Sequence, residues 1–300
     1  MHLPLPYRHV RYPRSFFPAV EPALTPEVSG PFADDIERQL ALGLSGINAW
    51  FQPQISTHTG DVSGFEAQAY WLHPSHGCVP ARRFLQTRRD QRQTGHIGQK
   101  ILRDSLTALR YWDTNELKVP QVTLKCSPEV LCDPKLVDRF AWELDRYGVE
   151  ADRLAIEIPG TTLAVSPDDL VARTMHRLAK MGCRIDLGEF GNDHAAISFI
   201  RRFTVHRLKI DPSLVRGIDK DMDQQRKVDA IQALADDLDL ETLAEPVGNA
   251  GEHSILAQLG CHHVQGFGLG HPMPLDETLS WIATHRSNLT CLPRIDQTAG

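Results

Sequence analysis

Several short apolar runs in this chain finish on side chains suited to acid–base or metal chemistry: Glu66, Lys125, Glu157, Glu189, Lys209 with Asp211, Glu245 and Gln265. Taken singly, each is an ordinary polar group at the end of a strand. Together they would give one rim of a closed sheet an unusually polar lining. Clustered carboxylates raise one another's pKa and need a cation nearby. Such a rim therefore implies a metal ion, a lysine amine or both.

The elements that must gather these residues are visible as short β-branched or apolar runs alternating with longer amphipathic stretches. The strands are expected at 47–55, 64–72, 121–127, 154–159, 184–190, 206–211, 241–247 and 262–268. The first two are separated by STHTGDVS, short enough for a hairpin, which makes that pair antiparallel. Helical stripes lie between the others: Ile97, Ile101, Leu102, Leu106, Leu109 and Trp112 share one face, and 134–147, 166–181, 222–238 and 250–259 show similar patterns. Repeated strand–helix units over about 250 residues predict a (β/α)8 TIM-like barrel with one antiparallel strand from the N-terminal hairpin. A doubly wound open sheet is the alternative. In a barrel the chemistry collects at the C-terminal ends of the strands, where the polar set falls.

Outside that region, residues 1–34 carry seven prolines mixed with aromatics and Arg8, Arg11 and Arg14. They are read as an irregular N-terminal arm, 35–284 as the barrel and 285–300 as a C-terminal tail. The net charge of -6 repels phosphate polymers, so nucleic acid is not an expected partner. No apolar run approaches the roughly 20 residues that cross a bilayer, and no signal peptide is evident. A cytoplasmic protein with no membrane partner is expected. The six cysteines form no CxxC pair and are expected as free thiols. His73, His76 and Cys78 in HPSHGC lack a second ligand pair at finger-like spacing and are read as a turn rather than a zinc site.

The succession FEAQAYWLHP, TLKCSPEVL, LAIEIPG, LGEFGNDHAAI, RLKIDPSLV, LAEPVGNAGE and VQGFGLGHPMP resembles, in order and spacing, the motif ladder of EAL-domain proteins, the bacterial cyclic di-GMP phosphodiesterases. It covers about residues 40–280. The resemblance implies a barrel with one antiparallel strand. It also implies that active members use two Mg or Mn ions to activate a water and cut one phosphodiester of cyclic di-GMP. Two-metal chemistry accounts for the demand for carboxylates, since hard cations want oxygen ligands.

Against that pattern, Glu66 and Glu157 keep metal-ligand positions, Lys209 matches the family's catalytic lysine, and Glu245 and Gln265 persist. Other positions depart. Gln68 replaces the leucine of the Glu-Ala-Leu signature. Tyr70 replaces an arginine used on a substrate phosphate, and it cannot form a bidentate, charge-assisted fork. Lys125 stands where the family has a metal-binding asparagine, and an ammonium has no lone pair to give. The paired aspartates become Gly188 and Glu189, and Gly160, Pro246 and Gly248 replace two glutamates and a glycine. Charge balance leads to the expectation that the Lys125 ammonium takes the electrostatic place of a metal between Glu66 and Glu157, the alternative being that it reaches solvent.

No metal and no cofactor are therefore expected, with Mg or Mn only if residual phosphodiesterase activity exists, and the catalytic positions are read as vestigial. The resemblance then implies a catalytically inactive regulator working through an unidentified protein partner. One alternative is a receptor that binds cyclic di-GMP weakly without cutting it, with Gln265, Phe267 and Tyr70 as ligand contacts. Another is a weak phosphodiesterase holding one ion on Glu66, Glu157 and Glu189 with Lys209 orienting water. The stretch 212–238 is read as a solvated outer helix, with a homodimer surface as the alternative.

Overall fold

A computed structural model of the chain describes residues 46–73, 77–80, 91–160, 169–191, 200 and 203–290. The arm 1–34, His76 and Cys291 lie outside these residues. The first two strands, β1 (Ile47–Ser56) and β2 (Val62–His73), pair antiparallel in register from Ile47↔Trp71 to Ile55↔Val62. Their turn closes through Gly60, whose φ of 78° is a conformation glycine adopts at little steric cost. Its N–H donates to the Ser56 carbonyl at 2.8 Å.

A short strand, β3 (Gly77–Pro80), pairs antiparallel with the outer end of β2. It falls where HPSHGC is read as a turn, and the strand takes in the last two residues of that stretch. The remaining strands are β4 (Val122–Lys125), β5 (Leu154–Pro159), β6 (Arg184–Phe190), β7 (Arg207–Ile210), β8 (Glu241–Ala244) and β9 (His263–Gln265). The order β1-β9-β8-β7-β6-β5-β4-β2-β3, with an added β1–β2 pairing, closes eight strands into a barrel and leaves β3 as an extension. β1 runs antiparallel to both β2 and β9, and the pairings from β2 through β4 to β9 are parallel. All eight expected strands are present, within a few residues of their expected ends.

The described helices are α1 (Gln91–Thr114), α2 (Pro128–Leu131), α3 (Leu136–Tyr147), α4 (Asp169–Met181), α5 (Pro212–Val215), α6 (Met222–Asp237), α7 (Ala250–Gln258) and α8 (Leu275–Thr290), the last running past residue 284. None is long and apolar enough to cross a membrane. The expected stripe of α1 is buried from Ile97 to Trp112. Trp112 stacks on Phe65 (4.8 Å), meets Phe51 edge-on (5.5 Å) and donates to the Thr278 hydroxyl at 2.8 Å, tying α1 and α8 to the hairpin.

The barrel interior is polar below the rim as well as at it. Successive strand side chains face opposite sides. Leu154, Ile156 and Ile158 of β5, and Leu208 and Ile210 of β7, are buried in the hydrophobic core that includes the helices, and they give the runs their apolar look. The alternate positions point inward and carry Thr123, Glu157, Asp186, Arg207, Lys209 and Gln265, all buried. Arg207 donates to Asp186, to Gln54 Oε1 (3.2 Å) and to Thr123 Oγ1 (3.0 Å), joining four strands at mid-barrel.

Candidate functional site

Above this mid-barrel layer, β7 carries the Lys209 ammonium into the centre of the mouth. Its Nζ lies 2.9 Å from Glu66 Oε2, 2.5 Å from Glu157 Oε2 and 3.0 Å from Glu245 Oε1. Lys209 is 1% exposed. Carboxylate oxygens of these three glutamates all lie within 4.8 Å of one another. Glutamine amides brace the cluster. Gln265 Nε2 donates to Glu66 Oε2 (2.9 Å) and to Gln52 Oε1 (3.2 Å), and its oxygen accepts from Gln54 (2.9 Å). Gln68 Nε2 donates to Glu66 Oε1 (3.1 Å) and to Gln52 Oε1 (2.9 Å). The position where the signature has leucine thus supports the first glutamate.

Lys125 Nζ lies 3.3 Å from Glu157 Oε1 with its side chain half exposed. The ammonium between Glu66 and Glu157 is therefore that of Lys209, because β7 projects Lys209 inward from across the barrel while Lys125 sits at the outer end of β4. Glu189 does not join the cluster. The register of β6 against β7 shifts between Leu187 and Phe190, a bulge whose extra residue reverses the facing. Glu189 sits there at φ 56° and is exposed. Gly188 faces inward with no side chain, and a Cβ on it would lie 3.0 Å from Glu157 Oε1. Gly160 donates to the Gly188 carbonyl at 3.0 Å, so the two glycine replacements adjoin each other.

Asp211 caps α5, accepting from the Ser213 N–H at 2.8 Å, and is absent from the cluster. Tyr70 stacks on Trp50 (4.7 Å, 18° between planes), and Phe267 stacks on His271 (4.7 Å). The Glu245–Pro246 peptide is cis. The Gly248 N–H donates to Glu252 Oε2 at 2.7 Å, and the Gly217 N–H to Glu252 Oε1 at 2.8 Å. Glu252 therefore ties the segment after β7 to the one after β8, a role with no strand-end signal in the sequence. Gln52, Gln54, Asp186 and Arg207 also escaped the sequence reading, although their spacing of two from neighbouring inward residues was available to find them.

Charge sets the protonation of the cluster. Burial alone would push the Lys209 amine down, but Glu157, Glu245 and Glu66 outweigh it and hold it well above the ordinary lysine value. Burial pushes Glu66 up, yet Lys209, Gln265 and Lys125 bring it down to about 2. Glu245 is pushed up to about 7, chiefly by burial, with the Lys209 attraction opposing and the Glu66 and Glu157 charges adding. An unfolded glutamate titrates near 4.5, so between pH 4.5 and 7 the folded chain holds an extra proton and stability falls as pH rises. Replacing Glu245→Gln should remove that slope. Relative to wild type, the variant gains up to about 3 kcal/mol between pH 4.5 and 8 in urea titrations.

The donor set does not fit a pair of divalent ions. Three carboxylates, with the Lys209 nitrogen among them, converge closely enough to meet one ion, and a second would need further oxygen donors. β6 turns its one glutamate outward, and β4 offers an amine in place of an oxygen.

The sequence pattern of the EAL domain matches residues 34–272. This chain belongs to the EAL domain family. MucR of Pseudomonas aeruginosa, a bifunctional diguanylate cyclase/cyclic di-GMP phosphodiesterase, is 29% identical over 233 residues, which are 78% of this chain and 34% of MucR. The oxygen sensor protein DosP of Escherichia coli is 25% identical over 237 residues, 78% of this chain and 29% of DosP. This EAL chain thus spans about a third of the length of these relatives. Among solved structures, the PaMucR phosphodiesterase in a c-di-GMP complex superposes with a TM-score of 0.76 at 27% identity, covering 81% of this chain and 99% of that one. The Xanthomonas citri FimX EAL domain with c-diGMP gives 0.71 at 20% identity over 81% and 95%. The latter likeness concerns the fold alone.

Proposed function

We propose that this chain is an EAL domain of cyclic di-GMP signalling that does not hydrolyse the dinucleotide and that regulates, in the cytoplasm, through contact with a protein partner. The unit is the barrel at 35–284, between the arm 1–34 and the tail 285–300. The observation that carries the reading is the loss of two inward oxygen donors: β4 presents the Lys125 ammonium, 3.3 Å from Glu157 Oε1, and β6 presents Gly188, where hydrolysis would need ligands for a pair of ions. The placement within cyclic di-GMP signalling draws its support from MucR. A barrel without its chemistry keeps a large shaped surface for other uses.

Incubation with cyclic di-GMP and MnCl2 should give no linear dinucleotide above a protein-free control by chromatography. Linear product that Glu66→Ala abolishes would overturn the reading in favour of a phosphodiesterase. The second reading, a receptor that binds without cutting, draws support from the dinucleotide bound by PaMucR. Against it stand Tyr70, stacked on Trp50 in place of a phosphate-gripping arginine, and the Gln265 amide, already engaged by Gln52, Gln54 and Glu66. Calorimetric titration with the dinucleotide should give no heat; micromolar binding would install the receptor instead.

A further inference from the structure

We propose that the outer faces of α3 and α4 form a docking surface for an acidic segment of a protein partner, with α4 supplying a stripe of cations and Trp142 of α3 receiving an apolar side chain. The inference rests on the proposed reading of a domain that works through a protein, and it names the surface and the chemistry of what lands there.

Along α4, Val171, Met175 and Leu178 are buried. The spacing of Arg173, His176, Arg177 and Lys180 gathers them on the other face, and all four are exposed. No aspartate or glutamate occurs from Leu170 to Met181. Like charges three and four residues apart destabilise a helix. The helix dipole favours Lys180 in the last turn and does nothing for Arg173. Among the described residues, Arg177 is the one member of the stripe with an ion-pair partner, Asp138 of α3 at 2.6 Å. Both sides of that pair are exposed, so it holds little energy. In a chain of net charge -6, the stripe is a local reversal of sign that an acidic segment would complement.

The pairing with Asp138 also fixes which face of α3 lies beside the stripe. Trp142 and Arg146 follow Asp138 at intervals of four and continue that face. Trp142 is 57% exposed. The Arg146 guanidinium lies 5.2 Å from the centre of its ring and 5.7 Å from that of Tyr147. Stacking of this kind restrains the guanidinium before a partner arrives, which lowers the entropy lost on binding. Exposed Trp beside Arg is the composition that dominates binding energy at interfaces.

A phosphate polymer or an anionic membrane fits this face less well. Asp138 and Asp145 are exposed on α3 and would oppose a continuous layer of phosphates, whereas the spaced carboxylates of a protein segment can settle between them. From Arg173 to Lys180 the stripe runs about 10 Å, the reach of two turns of a partner helix.

The test titrates the full chain into a fluorescein-labelled helical peptide bearing a row of glutamates flanked by leucines, read by anisotropy. The glutamate peptide should bind, and more weakly as salt rises, while its glutamine counterpart should not. Trp142→Ala, and separately Arg173→Glu with Lys180→Glu, should each weaken binding at least about tenfold with Tm unchanged. Arg226→Glu with Lys227→Glu makes the same change of charge on α6 and should leave binding within about twofold of wild type. A wild type that ignores the peptide overturns the proposal. So does binding indifferent to both surface variants, or weakened equally by the α6 pair. Tighter capture of phosphatidylserine vesicles or a DNA duplex by this face also overturns it, as does self-association that the surface variants abolish in sedimentation. Any of these without linear dinucleotide ends this inference and leaves the proposed function standing. Linear product ends the proposed function whatever the peptide does.

Discussion

Replacing Arg207→Met should destabilise the barrel by about 3–5 kcal/mol, the usual effect of removing one partner from a buried ion pair. Arg207 and Asp186 are both fully buried, and the guanidinium also holds Gln54 and Thr123. Its loss leaves the Asp186 carboxylate with no cation in mid-barrel. Thermal unfolding should fall by about 10 °C. Replacing both partners, Arg207→Met with Asp186→Leu, should restore much of the loss, because a matched apolar pair carries no uncompensated charge. A single variant as stable as wild type would mean the ion pair contributes little. The effect should reach the mouth as well: Gln54 bonds Gln265, which bonds Glu66.

Gly266→Ala should be nearly as damaging, at about 3 kcal/mol, the upper end of overpacking effects. A Cβ there would sit well inside van der Waals distance of the Val247 backbone nitrogen and carbonyl oxygen, atoms that cannot rotate away. This close approach is locked by Val247 N–H to Gln265 carbonyl (2.8 Å) and Gly268 N–H to Val247 carbonyl (3.0 Å). It sets the loop carrying Glu245 against the strand carrying Gln265. Circular dichroism melts should show the loss. An alanine variant melting within about 1 °C of wild type would contradict the packing.

The outward half of each barrel strand was the legible half. Apolar residues packed under the helices announced β5 and β7, and the polar residue closing each run marked Glu66, Glu157, Lys209 and Glu245. Arg207, two positions before Lys209, and Asp186, two before Gly188, share the inward face, and only the spacing of two, not a strand-end position, marks them. Glu189 shows a different limit: one extra residue at a bulge reverses the facing of a side chain, and a linear spacing carries no sign of it. Lys125 and Lys209 could not be ranked from sequence either. Each lies in the last two residues of its strand, and only the closed barrel reveals that one crosses to the centre while the other stands at the rim. β3, four residues with Gly77 and Pro80 at its ends, is too short to show an alternating pattern.

Crystals soaked in MnCl2 and measured at the manganese absorption edge test the central claim most directly. No pair of anomalous peaks is expected among Glu66, Glu157 and Glu245, with the Lys209 nitrogen remaining within about 3 Å of each carboxylate. Two fully occupied ions at the barrel mouth would contradict it.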